Sequence, residues 1–183
     1  MSPAGGPSQQ ESQIRRAAVD PEVRSAALPP VAPEPAPPAR VALPSVGVDV
    51  PIVPTGVRAD GGMEIPDDPS VAGWYRWSAA PGGPAGNTVV AAHVDSLRFG
   101  LGPFVALRDV AVGATVTVTT ADGAAHDYLV ESVTHVPKAD LASLDVFDRT
   151  GPPTLALITC GGGFDEVTRT YSDNVVVLAT EAT

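Results

Sequence analysis

The sequence predicts an all-β domain, built as a closed barrel or a sandwich. Three observations point there. Apolar residues recur in several short runs separated by turn residues, not at helical spacing. Composition leans toward valine and glycine over leucine and lysine, a bias that favours strands. Only Phe104–Val110 and Lys138–Leu144 read as short helical turns. The chain has 183 residues, 44% of them hydrophobic, enough for one domain with a real core plus a tail.

The tail comes first. Residues 1–40 hold nine of the 20 prolines and no aromatic residue, with four basic and four acidic groups. The run Leu28–Arg40, LPPVAPEPAPPAR, favours an extended polyproline-like conformation, so residues 1–40 are expected to be a flexible stalk and 41–183 the folded domain. Within the domain Val46–Val53 alternates as a strand, and a Gly-, Asp- and Pro-rich loop follows as far as Pro69. Asn87–Ala92 is a short apolar run, read as a buried strand that ends at His93. Ala114–Thr119 alternates valine with threonine; Ala121-Asp122-Gly123 then turns the chain into His126–His135, which makes a hairpin. Thr154–Thr159, TLALIT, is a second buried strand and ends at Cys160, and Asn174–Thr180 is the closing strand. Several short strands with turn signals between them are the pattern of a barrel or sandwich.

Charge and cysteine content exclude whole classes. The formal net charge is −10, and all of it falls in residues 41–183, where 17 acidic side chains face seven basic ones. Such a surface repels phosphate backbones, so no nucleic-acid partner is expected. No run approaches the ~18 consecutive apolar residues of a membrane span. The opening MSPAGGPSQQ has neither the charged nor the apolar region of a secretory signal. A single cysteine, Cys160, rules out an internal disulfide and any C-x-x-C metal site.

Two segments share a chemical pattern: an apolar strand carries a reactive side chain at its end, with loop residues after it. VVAAHVDS presents His93, and TLALITCGGGFD presents Cys160. A thiol with an ordinary pKa near ~8.5 needs a base or cation beside it to attack a carbonyl near neutral pH. A sheet fixes the backbone while a loop leaves the tip open, so strand ends suit such groups. The three glycines after Cys160 allow close approach of a substrate backbone and can aim N–H groups at an oxyanion.

These segments resemble the sortases, cysteine transpeptidases of Gram-positive cell surfaces. The family pattern is V-x-A-G-H, then T-L-x-T-C, then an arginine shortly before the last strand. Val89–His93 is similar to the first word, with Ala92 in place of glycine, and Ala156–Cys160 to the second, with Ala156 in place of threonine. His93–Ser96 (HVDS), Gly102–Phe104 (GPF), Ile158–Asp165, Tyr171-x-Asp-Asn-Val-Val-Val and Val41–Ile52 look like the actinobacterial class F branch. The resemblance implies a closed eight-stranded barrel. It also implies cleavage of an LPxTG-like sorting signal between Thr and Gly through a thioacyl enzyme, and transfer to an amine acceptor, a cell-wall precursor or a pilin. Cys160 would be the nucleophile and His93 the proton donor and acceptor, while Thr159 would bond substrate or oxyanion. An arginine would bind the substrate backbone and oppose the oxyanion charge. Only Arg169 follows Cys160, nine residues on, and it is the expected cation; Arg98 and Arg108 stand in reserve, and Asn174 holds the place where several sortases carry arginine.

The same resemblance implies a monomer without cofactor or metal, working on the extracellular face of the membrane. Its anchor would lie outside this chain, which reads as a fragment or ectodomain. Other polar residues carry plainer expectations. His126, beside a turn, is expected to be exposed, and His135 to be structural. Asp95 orients the loop or the imidazole, or else serves a turn. Glu64, Asp67 and Asp68 match no oxygen-ligand loop and read as solvated. Trp74, Tyr75 and Trp77 read as core and barrel wall. Leu43–Gly47 echoes a sorting signal but lacks its threonine. Three other readings stand beside the transpeptidase. One is a cysteine peptidase using water as acceptor, one an L,D-transpeptidase, which usually carries a His-Gly-Cys word, and one a non-catalytic surface-binding β domain.

Overall fold

Strands that are apolar at nearly every position need cover on both faces, and the computed structural model supplies it. The structure describes residues 34–167 and 170–182. The tail therefore lies outside the described residues as far as residue 33, and so does Arg169. Ten strands form: β1 Pro38–Leu43, β2 Val48–Thr55, β3 Ala72–Tyr75, β4 Asn87–Ala91, β5 Asp95–Ser96, β6 Gly100–Leu101, β7 Thr115–Thr120, β8 Ala125–Pro137, β9 Thr154–Asp165 and β10 Thr170–Glu181. Eight of them close a barrel in the order β1-β2-β3-β4-β9-β10-β8-β7, and β5 pairs with β6 outside it. The β2–β3 and β4–β9 pairs are parallel and the other barrel pairs antiparallel. The all-β class and the closed eight-stranded barrel expected from the sequence are the observed fold.

Side chains alternate across a strand, and this sorts the core into two parts. Leu155, Leu157, Val90, Val175 and Val177 point into the barrel with Val41, Val50, Val118 and Tyr128. Phe104 and Leu107, from the 3-10 helix Pro103–Asp109, join this interior. Ala156, Ile158, Val89, Ala91 and Val176 point outward, where Val146, Leu141 and Leu144 cover them. Strands β4, β9 and β10 are thus buried on both faces, which is why NTVVAA, TLALIT and NVVV read as continuous apolar runs. The two expected helical turns are 3-10 segments, Pro103–Asp109 and Lys138–Leu144, and a third short one, Pro44–Val46, follows β1.

Several expectations need correction. Strand β1 begins at Pro38, inside the proline-rich run, because its backbone pairs with β2 on one side and β7 on the other. Strand β3 had no signal beyond its aromatics; Trp74 is buried, but Trp77 is exposed and stacks edge-on against Tyr75. The residues after Cys160 are not loop, since β9 runs on to Asp165 against β10. Gly162 makes this possible: its φ is 74°, and a Cβ there would overlap the Ser172 hydroxyl and the Asp173 carboxylate at the β10 bulge. His126 is half-buried, with its ring over Gly82 and its Nδ1 3.4 Å from Glu181. The signal-like Leu43–Gly47 runs from a fully buried Leu43 through the turn Pro44–Val46.

Candidate active site

Two neighbouring parallel strands bring the reactive residues together. In the β4–β9 ladder Ala91 pairs with Ile158, and the Ala92 amide continues it by donating to the Ile158 carbonyl at 3.1 Å. Extended two residues beyond the end of β4, the same register aligns His93 with Cys160. Both lie two residues past outward-facing neighbours, Ala91 and Ile158, so both belong to the outer face, beyond the edge of the apolar patch. On the far side of β9, Cys160 pairs with Asn174 of β10. Along this extended register one row reads His93, Cys160, Asn174. Cys160 and His93 are half-buried and Asn174 is buried.

Thr159 has the opposite orientation. It is buried, and its hydroxyl donates to the Ala92 carbonyl at 2.8 Å. In this structure it braces the residue before His93 instead of facing the groove, which differs from the expected substrate contact. Sequence position alone could not separate these roles, because they depend on which way an adjacent strand residue turns.

A groove of ≈ 410 Å³ lies beside the row, lined by Asp67, His93 and Asp95–Phe99. The Tyr171 hydroxyl donates to Asp95 Oδ2 at 2.6 Å and ties β10 to the segment after His93. This bond makes Asp95 a clasp between the two segments. Leu97, Phe99, Leu101 and Phe164 are exposed around it and form an apolar rim. Of the reserve cations, Arg98 lines this groove and lies over the Phe99 ring, and Arg108 Nε donates to the Val105 carbonyl. Of the acidic trio, Glu64 accepts from the Gly56 amide and Asp68 from Ser70, while Asp67 faces the groove. A larger groove, ≈ 610 Å³, between Glu34–Pro37 and the Trp74–Ala85 region contains neither His93 nor Cys160.

Burial sets the resting charge of the pair. It holds the His93 imidazole below its ordinary value, against the pull of Asp67 and Asp95 toward the charged form. It pushes the Cys160 thiol up, with Lys138 working against that shift and Asp95 adding to it. Both shifts favour the neutral form of the group near pH 7.

The barrel resembles solved sortases. A sortase C-1 from Actinomyces oris aligns with a TM-score of 0.62 at 22% identity, covering 79% of this chain and 73% of that one. Sortase A from Corynebacterium diphtheriae aligns at 0.58 and 21%, over 83% of this chain and 63% of that one. A Clostridium perfringens sortase D5 transpeptidase aligns at 0.58 and 18%, over 80% and 79%. At these identities the likeness shows the fold. No curated protein sequence matches the chain. The sortase domain family model matches residues 41–182. Sortases are cysteine transpeptidases that act at the cell surface on sorting signals and amine acceptors. Because that match runs from the middle of β1 through the end of β10, taking in the row of His93, Cys160 and Asn174, the chain belongs to the sortase family.

Proposed function

We propose that this sortase, of the class F type, cleaves an LPxTG-like sorting signal between Thr and Gly and transfers the acyl part to an amine. The observation that supports this reading is the β4–β9 register, which runs to Ala91–Ile158 and, extended by two residues, aligns His93 with Cys160. Cys160 Sγ attacks the threonine carbonyl as its proton passes to His93. The tetrahedral intermediate collapses, the C–N bond breaks, and imidazolium returns the proton to the leaving glycine amine. The incoming amine then gives a proton to His93 and attacks the thioester; the C–S bond breaks and Cys160 leaves as thiol. The apolar rim of Leu97, Phe99, Leu101 and Phe164 suits the leucine and proline of such a signal.

Arg169 is the proposed donor to the substrate backbone and the oxyanion. In sequence it falls between the end of β9, which carries Cys160, and the start of β10, which pairs with Cys160 through Asn174. A guanidinium offers forked donors and stays charged in a half-buried cleft. Arg169→Ala is expected to lower peptide turnover by roughly 10²–10³, the scale for losing one such donor, and Arg169→Lys to recover only part of it. Near-wild-type rates in both variants would reject the role.

The chain before β1, most of the expected 1–40 tail, is the proposed stalk, holding the barrel off the extracellular face of a membrane, where the enzyme works as a monomer. Among the described residues no helix is long and apolar enough to cross one. Cleavage of an LPxTG-type peptide library, with and without a nucleophilic amine, tests the whole reading. Transpeptidation predicts an amine adduct; a hydrolysed product alone, at saturating amine, would make the protein a peptidase instead.

The neutral resting pair has a consequence for pH. Turnover needs one proton shared between thiol and imidazole, so it is lost at low pH as His93 takes up a second proton and at high pH as Cys160 loses its own. With the imidazole held down and the thiol pushed up, kcat/KM should follow a bell with its acid limb below about 6.5 and its alkaline limb above about 8.5. Iodoacetamide labelling of Cys160 should titrate on the alkaline side of an ordinary thiol. A labelling midpoint below pH 7 would mean a preformed thiolate and contradict this.

A further inference from the structure

The row His93, Cys160, Asn174 contains no cation, yet one lies just past the end of the next strand, β8. Asn174, the ladder partner of Cys160, pairs on its other side with Val136 of β8, and Lys138 follows two residues later, just past the end of that strand. Lys138 opens the 3-10 turn directly after β8. Its Nζ donates to Thr170 Oγ1, at the start of β10, at 2.6 Å. The side chain is exposed, but this bond fixes its charge over the β8–β10 seam instead of leaving it to sweep through solvent.

Charged and titratable groups face the thiol from each element packed around it. His93 lies two residues past the end of β4, and Asp95 on β5 accepts from the Tyr171 hydroxyl. Asp173 pairs with Gly161, one position past Cys160. Arg108, on the Pro103–Asp109 turn, bears on Tyr171. Among the described residues Lys138 is the cation whose field reaches Cys160, where it favours the thiolate, while Asp95 opposes it. The same charge disfavours imidazolium at His93.

We propose that Lys138, held by Thr170, is a positioning residue that acts through Cys160, supplying the fixed positive charge that stabilises its thiolate. This rests on reading Cys160 as the nucleophile, and it divides the cationic work: Lys138 tunes the thiol, and Arg169 handles the substrate. A lysine suits the first task, which needs a point charge and no forked geometry.

The test reads the thiol alone, so it stands or falls independently of any peptide being cleaved. Iodoacetamide labelling of Cys160 is followed against pH, at low and high salt, in the wild type and in Lys138→Gln, Lys138→Arg and Arg169→Ala. Glutamine keeps a donor for Thr170 but removes the charge. At low salt Lys138→Gln should move the labelling midpoint up by about half to one pH unit and slow labelling at neutral pH roughly three- to tenfold. Lys138→Arg should restore the wild-type profile, and high salt should shrink the difference, as expected for an exposed charge. An unshifted Lys138→Gln profile overturns the proposal. So does a Lys138→Arg profile that matches Lys138→Gln, which would make the contact merely structural. A shift produced by Arg169→Ala and not by Lys138→Gln would assign the charge to Arg169 instead.

Discussion

Cys160→Ala is expected to remove peptide cleavage altogether, by more than about a thousandfold, and with it the acyl-enzyme mass adduct. The substitution deletes one sulfur from a half-buried position at the rim of the outer apolar patch. Its neighbours on β9, Ala156 and Ile158, keep their own packing, so the barrel should fold with a thermal transition close to wild type. The loss is then chemical. No other cysteine exists in the chain to take over, and the oxygen nucleophiles nearby are committed: Thr159 bonds Ala92, and Tyr171 bonds Asp95. Intact-mass spectrometry during turnover gives the direct reading. An adduct in the alanine variant, or residual cleavage above a tenth of wild type, would remove Cys160 from the mechanism.

His93→Ala should cost roughly 10²–10⁴ in kcat/KM, the range for a positioned acid–base group. Its place at the end of β4 is held by the Ala92 amide and the Thr159 hydroxyl, neither of which depends on the imidazole. Truncation should therefore leave the backbone in place and open a space beside Cys160. Added imidazole should restore part of the rate by filling that space, whereas it should do nothing for His93→Gln, whose side chain still occupies it. A His93→Ala enzyme within tenfold of wild type would mean that the proton travels another way. Labelling of Cys160 at high pH should survive in both variants, since a thiolate formed by hydroxide needs no base.

How much of this was legible depends on how local each signal is. Asn87–Ala92, Thr154–Thr159 and Asn174–Thr180 were readable as strands because double-sided burial leaves an unbroken apolar run. The hairpin of β7 and β8 was readable from Ala121-Asp122-Gly123, where Gly123 has a φ of 88° that a turn there requires. Strand β1 was hidden because Pro38 belongs by composition to the proline run, and only pairing with β7 makes it a strand. The extension of β9 past Cys160 was hidden for a related reason. Glycines weaken a strand unless a partner backbone approaches closely, and that partner, the bulged segment at Ser172 and Asp173, lies on the next strand.

The sequence by itself therefore determined the all-β class, the residues that end two apolar strands, and the words that place the chain among the sortases. The tertiary structure decided what those residues face. A shift of one residue in the β4–β9 register would have turned His93 and Cys160 to opposite sides of the sheet, because side chains alternate with period two. The same alternation sends Thr159 inward to brace Ala92 and keeps Asn174 in the row with Cys160. Lys138, 22 positions before Cys160, joins the site only because β10 pairs with both β8 and β9. Spacing along the chain carries no record of such pairing; it is set by which long-range ladder closes the barrel.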